Sequence, residues 1–248
     1  LTDADQQRLV HEEQAALDRL FTQSGDLGVV SAYGPHPDQV TEVFGEPGPT
    51  VVFVHGGYFR PTIDRTHARP VARALAAAGA QVVLMEYRRT PGDPMTAVAD
   101  LDLLASRLTE PVLWIGHSAG AALALTRAFE RRAAVLALAP VADLARASRL
   151  NLGNGAITEW MGGTPEQQPR RYAELDPQVR LSSRPPGVLL VHGSDDQTVP
   201  VAFSQDSPAE SVVLPHTHHF DLIDPESAAW PEVSELVRSA LHRLPRER

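Results

Sequence analysis

Five runs in this chain are apolar along almost their whole length: TVVFVH (50–55), QVVLMEY (81–87), PVLWIGH (111–117), AAVLALAP (133–140) and PGVLLVHG (186–193). A strand with one wet face alternates apolar and polar residues. A run with no polar face needs cover on both sides, which parallel sheets receive from the helices that cross over them. The intervening segments supply such helices. DRTHARPVARALAAAG (64–79), TAVADLDLLASRL (96–108) and AGAALALTRAFERR (119–132) carry apolar residues three and four apart. Asp64 is placed to start the first of them and Gly79 to end it. A sixth short strand, SVVLPH (211–216), and a closing helix over 225–244 continue the pattern. Such alternation predicts an α/β fold: a doubly wound, mostly parallel sheet with helices on both faces.

Two regions stand outside the alternation. Ahead of it, 3–20 reads as an amphipathic helix with Leu9, Ala16, Leu17 and Leu20 on one face and Asp3 as its cap. Two short strands, 28–33 and 39–44, flank the turn GPHPD. Inside it, 141–185 is rich in Gly, Pro and Asn and holds only short helical patches. An excursion after a strand's carboxyl end lies over the ligand crevice of a doubly wound sheet. The expected organisation is therefore one domain over 1–248, with 141–185 as a lid-like insertion.

Composition removes several function classes. The chain has 22 basic and 31 acidic residues, a net charge of −9, and no Lys/Arg block. Nucleic-acid phosphates would be repelled. With no cysteine, disulfides, thiolate zinc sites and iron–sulfur clusters are excluded. No apolar run approaches the ~20 residues of a membrane span. LTDADQQRLVHEEQ lacks the basic-then-apolar profile of a secretion signal, so cytoplasm is the default location.

The remaining signal is chemical. GHSAG (116–120) sets Ser118 between a buried strand and a helix, the context in which GxSxG has mechanical meaning. The chain reverses within about five residues, which forces Ser118 into a sparsely populated backbone region and lifts its hydroxyl at the sheet edge. The Ala119 N–H then opens a helix, whose positive end favours an oxyanion. A serine nucleophile needs a base, and the base an orienting carboxylate, in the chain order Ser, Asp or Glu, His. HGSDDQTVP (192–200) offers Asp195 and Asp196; HTHHFDLIDP (216–225) offers His216, His218 and His219. HGGYF (55–59) follows the first long strand, where Gly57 and Tyr58 can turn backbone N–H groups toward the same oxyanion. A metal held by HTHH would need a ligand from elsewhere in the chain, and neither metal nor cofactor is expected.

GHSAG, HGGY, HGSDDQTVP and HHFDLID, taken together and in order, resemble the α/β-hydrolase superfamily, nearest its kynurenine formamidase-like and small esterase-like branch. The resemblance runs from about Tyr33 to Trp230. It implies Ser118 as nucleophile, Asp196 as the acid, because His192, Gly193, Val199 and Pro200 set the register of HGxxDxxVP, and His219 as the base of the H-F pattern. It implies an oxyanion hole from Gly57, Tyr58 and Ala119, although Tyr58-Phe59 stands where the family has an aromatic pair ending in Trp. Tyr58, Phe59, Arg88, His117 and Trp160 are the expected substrate-facing side chains. Arg88 could equally sit in a buried ion pair, and Trp160 could anchor the lid. The expected activity is serine-dependent hydrolysis of a small carboxylester. An aryl formamide such as N-formylkynurenine is the second substrate, on the resemblance alone. A binding-only or non-hydrolytic use of the fold is the alternative from another class. The expected partner is a small-molecule substrate, with no nucleic acid and no membrane, and a homodimer is left open.

Overall fold

The computed structural model describes residues 3–109, 111–131 and 134–244. The predicted helix end at 132 and strand start at 133 lie outside the described residues, as does the side chain of Asp3. The chain opens with α1 (Asp3–Thr22), which buries Leu9, Ala16 and Leu20 along one stripe, with Leu17 half-buried at its margin. β1 (Val29–Ala32) and β2 (Val40–Phe44) follow as an antiparallel pair. Then come β3 (Thr50–Val54), α2 (Arg69–Ala77), β4 (Gln81–Met85), α3 (Met95–Ala105), β5 (Val112–His117), α4 (Ala119–Arg131) and β6 (Ala134–Leu138). Four short helices, α5 (Leu144–Arg149), α6 (Ala156–Met161), α7 (Pro169–Leu175) and α8 (Pro177–Leu181), lead to β7 (Val188–Gly193). α9 (Ala202–Gln205), β8 (Glu210–Leu214) and α10 (Trp230–His242) complete the described order.

The eight strands form one sheet in the order β1-β2-β4-β3-β5-β6-β7-β8. All neighbours from β4 to β8 run parallel; β2 meets both β1 and β4 antiparallel. Side chains alternate across a strand, and here the alternation sorts them into two cores. Val52 and Val54 of β3, Val83 and Met85 of β4, and Trp114 of β5 join α3 and α4 on one face. Val51 and Phe53, Val82 and Leu84, and Leu113 and Ile115 pack on the other with Leu20, Val71, Leu75, Val233 and Val237 of α1, α2 and α10. This is the doubly wound sheet expected from runs with no polar face. The 141–185 segment packs on the first face, where Ile157, Trp160, Met161, Tyr172 and Leu175 enter the core.

Two predicted helices begin later than their sequence patterns suggest. The one expected from 64 is a 3-10 turn over Arg65–Ala68 before α2, and the one expected from 225 starts at Trp230. Pro70 and Pro231 explain both shifts. Proline lacks the N–H that an inner helical residue must donate, so it stands in the first turn.

Chain order and spatial order separate between β3 and β5. The chain goes from β3 outward to β4, then returns to β5 on β3's other side. At such a switch point the loops after the two strands diverge and leave a crevice at the carboxyl edge. The loops after β3 and β5 are HGGYF and GHSAG.

Candidate active site

Ser118 directly follows β5 and takes φ 57°, the left-handed region that β-carbon-bearing residues avoid. Tight packing holds it there. A Cβ on Gly120 would stand 2.2 Å from the carbonyl oxygens of Val54 and His55, and one on Gly116 would stand 2.5 Å from the Cα of Ala121. Only glycine lets α4 start this close to the sheet. The Ser118 N–H donates to Leu138 O at 2.9 Å, which extends the β5–β6 ladder into the turn. Such a residue stores about 1–3 kcal/mol of strain, sustained by the surrounding core. Ser118 is 4% exposed, and its hydroxyl makes no hydrogen bond among the described residues.

The HGGYF loop lies against this turn. A Cβ on Gly56 would be 3.0 Å from the Ser118 Cβ. Gly57, Tyr58 and Phe59 have φ 124°, 53° and 56°, three left-handed residues in succession. The N–H groups of Gly57, Tyr58 and Ala119 donate to no protein group among the described residues. The loop is braced from behind by a fully buried His55. Its Nε2 meets the Glu86 carboxylate at 2.9 Å, and its backbone carbonyl accepts from the Tyr87 hydroxyl at 2.8 Å. The Glu86 carboxyl is driven up by burial, but His55 and Arg89 beside it hold it well below the usual carboxylate range.

β7 and β8 deliver the other two groups to the same edge. The turn after β7 places Asp196 Oδ2 2.7 Å from His219 Nδ1 and 3.1 Å from His192 Nε2. The other oxygen, Oδ1, accepts the backbone N–H groups of Thr198 at 2.9 Å and Val199 at 2.7 Å. Gly193 allows the two loops to meet, since a Cβ there would stand 2.1 Å from Thr217 O. Burial works to raise the Asp196 carboxyl, but His219 and His192, by charge and hydrogen bond, bring it well below the usual range. The His219 imidazole moves the opposite way. Burial would lower it, and Asp196, with a contribution from Glu13, carries it above its ordinary 6.5. The aspartate is therefore ionised and poised to hold an imidazolium.

The rival residues are occupied elsewhere. Asp195 accepts from the Ser194 hydroxyl at 2.7 Å, His216 is almost fully exposed, and His218 Nε2 lies 3.3 Å from Glu12. The five expected substrate-facing side chains divide. Phe59 and Trp160 stack, ring centroids 3.7 Å apart and planes 3° apart, which joins the HGGYF loop to α6. Tyr58 packs against Gly153, where a Cβ would be 2.3 Å from its ring. Its phenol is pushed up to about 12, chiefly by burial, against the pull of a Thr198 hydrogen bond. Together Tyr58, Phe59, Arg60 and Trp160 help to enclose a void of only about 10 Å³. A larger hollow of about 550 Å³, near Leu27, Phe44 and Gly79, opens at the amino edge of the sheet, far from this chemistry, and neither serine nor histidine lines it.

Arg88 and His117 require correction. Arg88 carries no free charge for a substrate. It grips the fully buried Asp100 through Nε at 3.0 Å and Nη2 at 2.6 Å, and its backbone N–H adds a third contact. His117 is 1% exposed, its ring packed 4.6 Å from that of His219 and its Nε2–H donating to His219 O at 3.0 Å. Burial, then the charge of His219, keep it well below 6.5 and hence neutral. It buttresses the loop that carries His219.

Two residues of this site escaped sequence reasoning. His192 served only to set a register, yet it binds Asp196 and takes up Ser204 Oγ at 2.8 Å. Glu13 is a buried carboxylate on α1 that accepts the N–H of Gln197 at 2.9 Å and of His219 at 3.2 Å. The only sequence signal for it is an acid in the apolar stripe of Leu9, Ala16 and Leu20.

Comparison with known proteins agrees with this architecture. The model of the alpha/beta hydrolase family matches residues 51–229. An acetyl-hydrolase of Streptomyces hygroscopicus is 31% identical over 155 residues, 55% of this chain and 52% of that protein, so the match spans about half the relative's length. Among solved structures, an inhibited esterase B from Lactobacillus rhamnosis superposes with a TM-score of 0.72 at 19% identity, over 97% of this chain and 96% of that one. A hyperthermophilic esterase from the archaeon Pyrobaculum calidifontis gives a TM-score of 0.68 at 18% identity, over 98% of each chain. At these identities the structural likeness speaks for the fold.

Proposed function

Since the chain belongs to the alpha/beta hydrolase family, we propose that it is a serine hydrolase that cleaves a small carboxylester through an acyl-enzyme. The observation that carries this reading is the buried Asp196–His219 pair, 2.7 Å apart, at the same sheet edge as a left-handed Ser118. Ser118 Oγ attacks the ester carbonyl carbon while His219 Nε2 takes its proton. Asp196 holds the Nδ1–H tautomer and stabilises the imidazolium. The carbonyl oxygen becomes an oxyanion, met by the free N–H groups of Ala119, Gly57 and Tyr58. Each such donor is worth roughly 10²–10³ in turnover. The C–O bond to the alcohol breaks as His219 protonates the leaving oxygen. A water, deprotonated by His219, then attacks the acyl carbon and frees Ser118.

A short acyl group suits the site best. Ser118 is nearly enclosed, the void lined by Tyr58, Phe59 and Trp160 holds only about 10 Å³, and a 31% identical relative is an acetyl-hydrolase. We read 141–185 as a lid. Its Gly153 and Trp160 rest on Tyr58 and Phe59, so substrate entry displaces these contacts. The formamide reading has no structural observation of its own and enters as the competing substrate in the test.

The test sets native protein beside Ser118→Ala on p-nitrophenyl acetate, butyrate and octanoate, and on N-formylkynurenine. Fast acetate turnover that Ser118→Ala abolishes is expected, with rates falling as the acyl chain lengthens. Faster deformylation than ester cleavage would transfer the assignment to formamides. Equal behaviour of the two proteins would reduce the fold to a binding role.

A further inference from the structure

α1 lies outside the strand-and-helix alternation and contributes none of the three groups above. It nevertheless reaches the two loops that carry Asp196 and His219. Gln6 hydrogen-bonds Gln197, Glu12 meets His218 at 3.3 Å, and Arg19 pairs with the fully buried Asp224 at 3.1 Å. At the centre of this seam sits Glu13, one residue position in a stripe otherwise made of Leu9, Ala16 and Leu20, and 5% exposed.

Each oxygen of Glu13 is used. Oε2 accepts from the backbone N–H of Gln197 at 2.9 Å and from that of His219 at 3.2 Å. Oε1 accepts the Thr198 hydroxyl. Residues 197 and 198 directly follow Asp196, so one carboxylate joins the backbone beside the acid to the backbone of the base. A buried carboxylate without its donors is strongly unfavourable, so burial makes these contacts obligatory. An apolar residue would fill the stripe but leave two backbone N–H groups unpaired at the point where Asp196 and His219 must stay in register.

We infer that Glu13 is a positioning residue for the Asp196–His219 pair, fastening the two loops to each other from α1. The inference rests on the proposed triad. Glu13 also adds negative charge near the imidazole. The titratable groups around it are His219 and Asp196 from the two loops, Tyr58 from the HGGYF loop, and the Glu12–His218 pair at its flank. His117 and His192 pack against the pair from the sheet side.

Glu13→Gln and Glu13→Ala separate charge from geometry. The glutamine oxygen can keep the two backbone N–H groups while its amide donates to the Thr198 oxygen, so the loops stay joined and the charge is lost. For Glu13→Gln the acid limb of kcat/KM moves to lower pH, because the imidazolium has lost a stabilising neighbour, and kcat falls by less than about tenfold. For Glu13→Ala kcat falls on the order of 10²-fold, with KM within about threefold of native, the signature of disturbed transition-state geometry. Ester turnover against pH, with thermal melts, measures both. An unmoved acid limb in Glu13→Gln overturns the inference, as does a Glu13→Ala enzyme within threefold of native kcat. A Glu13→Gln protein that does not fold overturns it too, since the residue would then serve the fold and not the pair. If Ser118→Ala remains active, the proposed function falls and this inference with it. If Ser118→Ala is dead while both Glu13 variants behave as native, only the role of Glu13 falls.

Discussion

Asp196 presents one oxygen to His219 Nδ1 at 2.7 Å and commits the other to the N–H groups of Thr198 and Val199. The carboxylate therefore cannot turn away from the imidazole without leaving two backbone donors unpaired. Asp196→Asn keeps the volume but places an amide where an acceptor is needed. His219 would settle in the wrong tautomer, with its proton on Nε2. We expect kcat/KM on short esters to fall about 10³–10⁴-fold in Asp196→Asn. Ser118→Ala or His219→Ala should cost about 10⁴-fold or more. Asp195→Asn should remain within threefold of native on the same esters; a loss as large as that of Asp196→Asn would move the acid to residue 195.

On the proposed mechanism, the protonation of His219 sets the pH profile. Its pKa in the folded protein lies above the ordinary 6.5. As a base it works only when neutral, so kcat/KM should rise with pH through a midpoint above about 6.5. A raised histidine pKa stabilises the fold at pH values below the unfolded value, and that contribution fades as pH climbs through the folded one. The depressed Asp196 contributes stability above about pH 4, lost as pH falls through its folded value. Rate profiles and melting temperatures across pH 3–9 check both trends. A midpoint below about pH 6 would contradict the ion-pair geometry.

Arg88 should behave as a structural residue. Asp100 is fully buried and also accepts from Gln39 at 2.6 Å, so removing Arg88 strands a buried charge. Arg88→Met should destabilise the protein by about 3–5 kcal/mol. At a temperature where the variant is folded, KM should be the same for neutral and anionic esters as in the native enzyme. A selective rise in KM for anionic esters would restore the substrate-facing role.

Gly120→Ala tests the packing that makes the serine turn. The added Cβ meets two carbonyl oxygens at 2.2 Å, both backbone atoms of a central strand region that cannot swing aside. We expect a loss of about 3 kcal/mol or more, at the upper end of overpacking costs, read in a urea melt. Activity at low temperature should fall with it, because α4 and the Ala119 N–H move away from the sheet. A variant as stable and as active as native would remove the strained turn from the explanation.

The architecture was legible because it depends on local, repeated patterns. Strands without a polar face such as 50–54 and 112–117 can only be interior, and the helical spacing between them leaves few alternatives to a doubly wound sheet. The strained turn at Ser118 was equally local, since flanking glycines and a strand-to-helix junction are readable within five letters. The HGxxDxxVP register singled out Asp196, the residue that the fold brings to His219. Element boundaries were less legible at Pro70 and Pro231, where a missing N–H outweighed a continuing apolar period.

What sequence alone determined, then, is the kind of sheet and the residue types that wait at its strand ends. Which of those side chains are free was decided only by tertiary contacts. Arg88 was claimed by Asp100, His117 by the backbone of His219, and Trp160 by Phe59. Glu13 shows the same division from the other side. Its acid is visible in the apolar stripe of α1, but its partners stand about 184 to 206 positions away, at Gln197 and His219. Periodicity reports how a residue sits on its own element. A charge or hydrogen bond satisfied across the fold leaves no trace in local spacing, because its cost and its compensation are set by groups that only folding brings within about 3 Å.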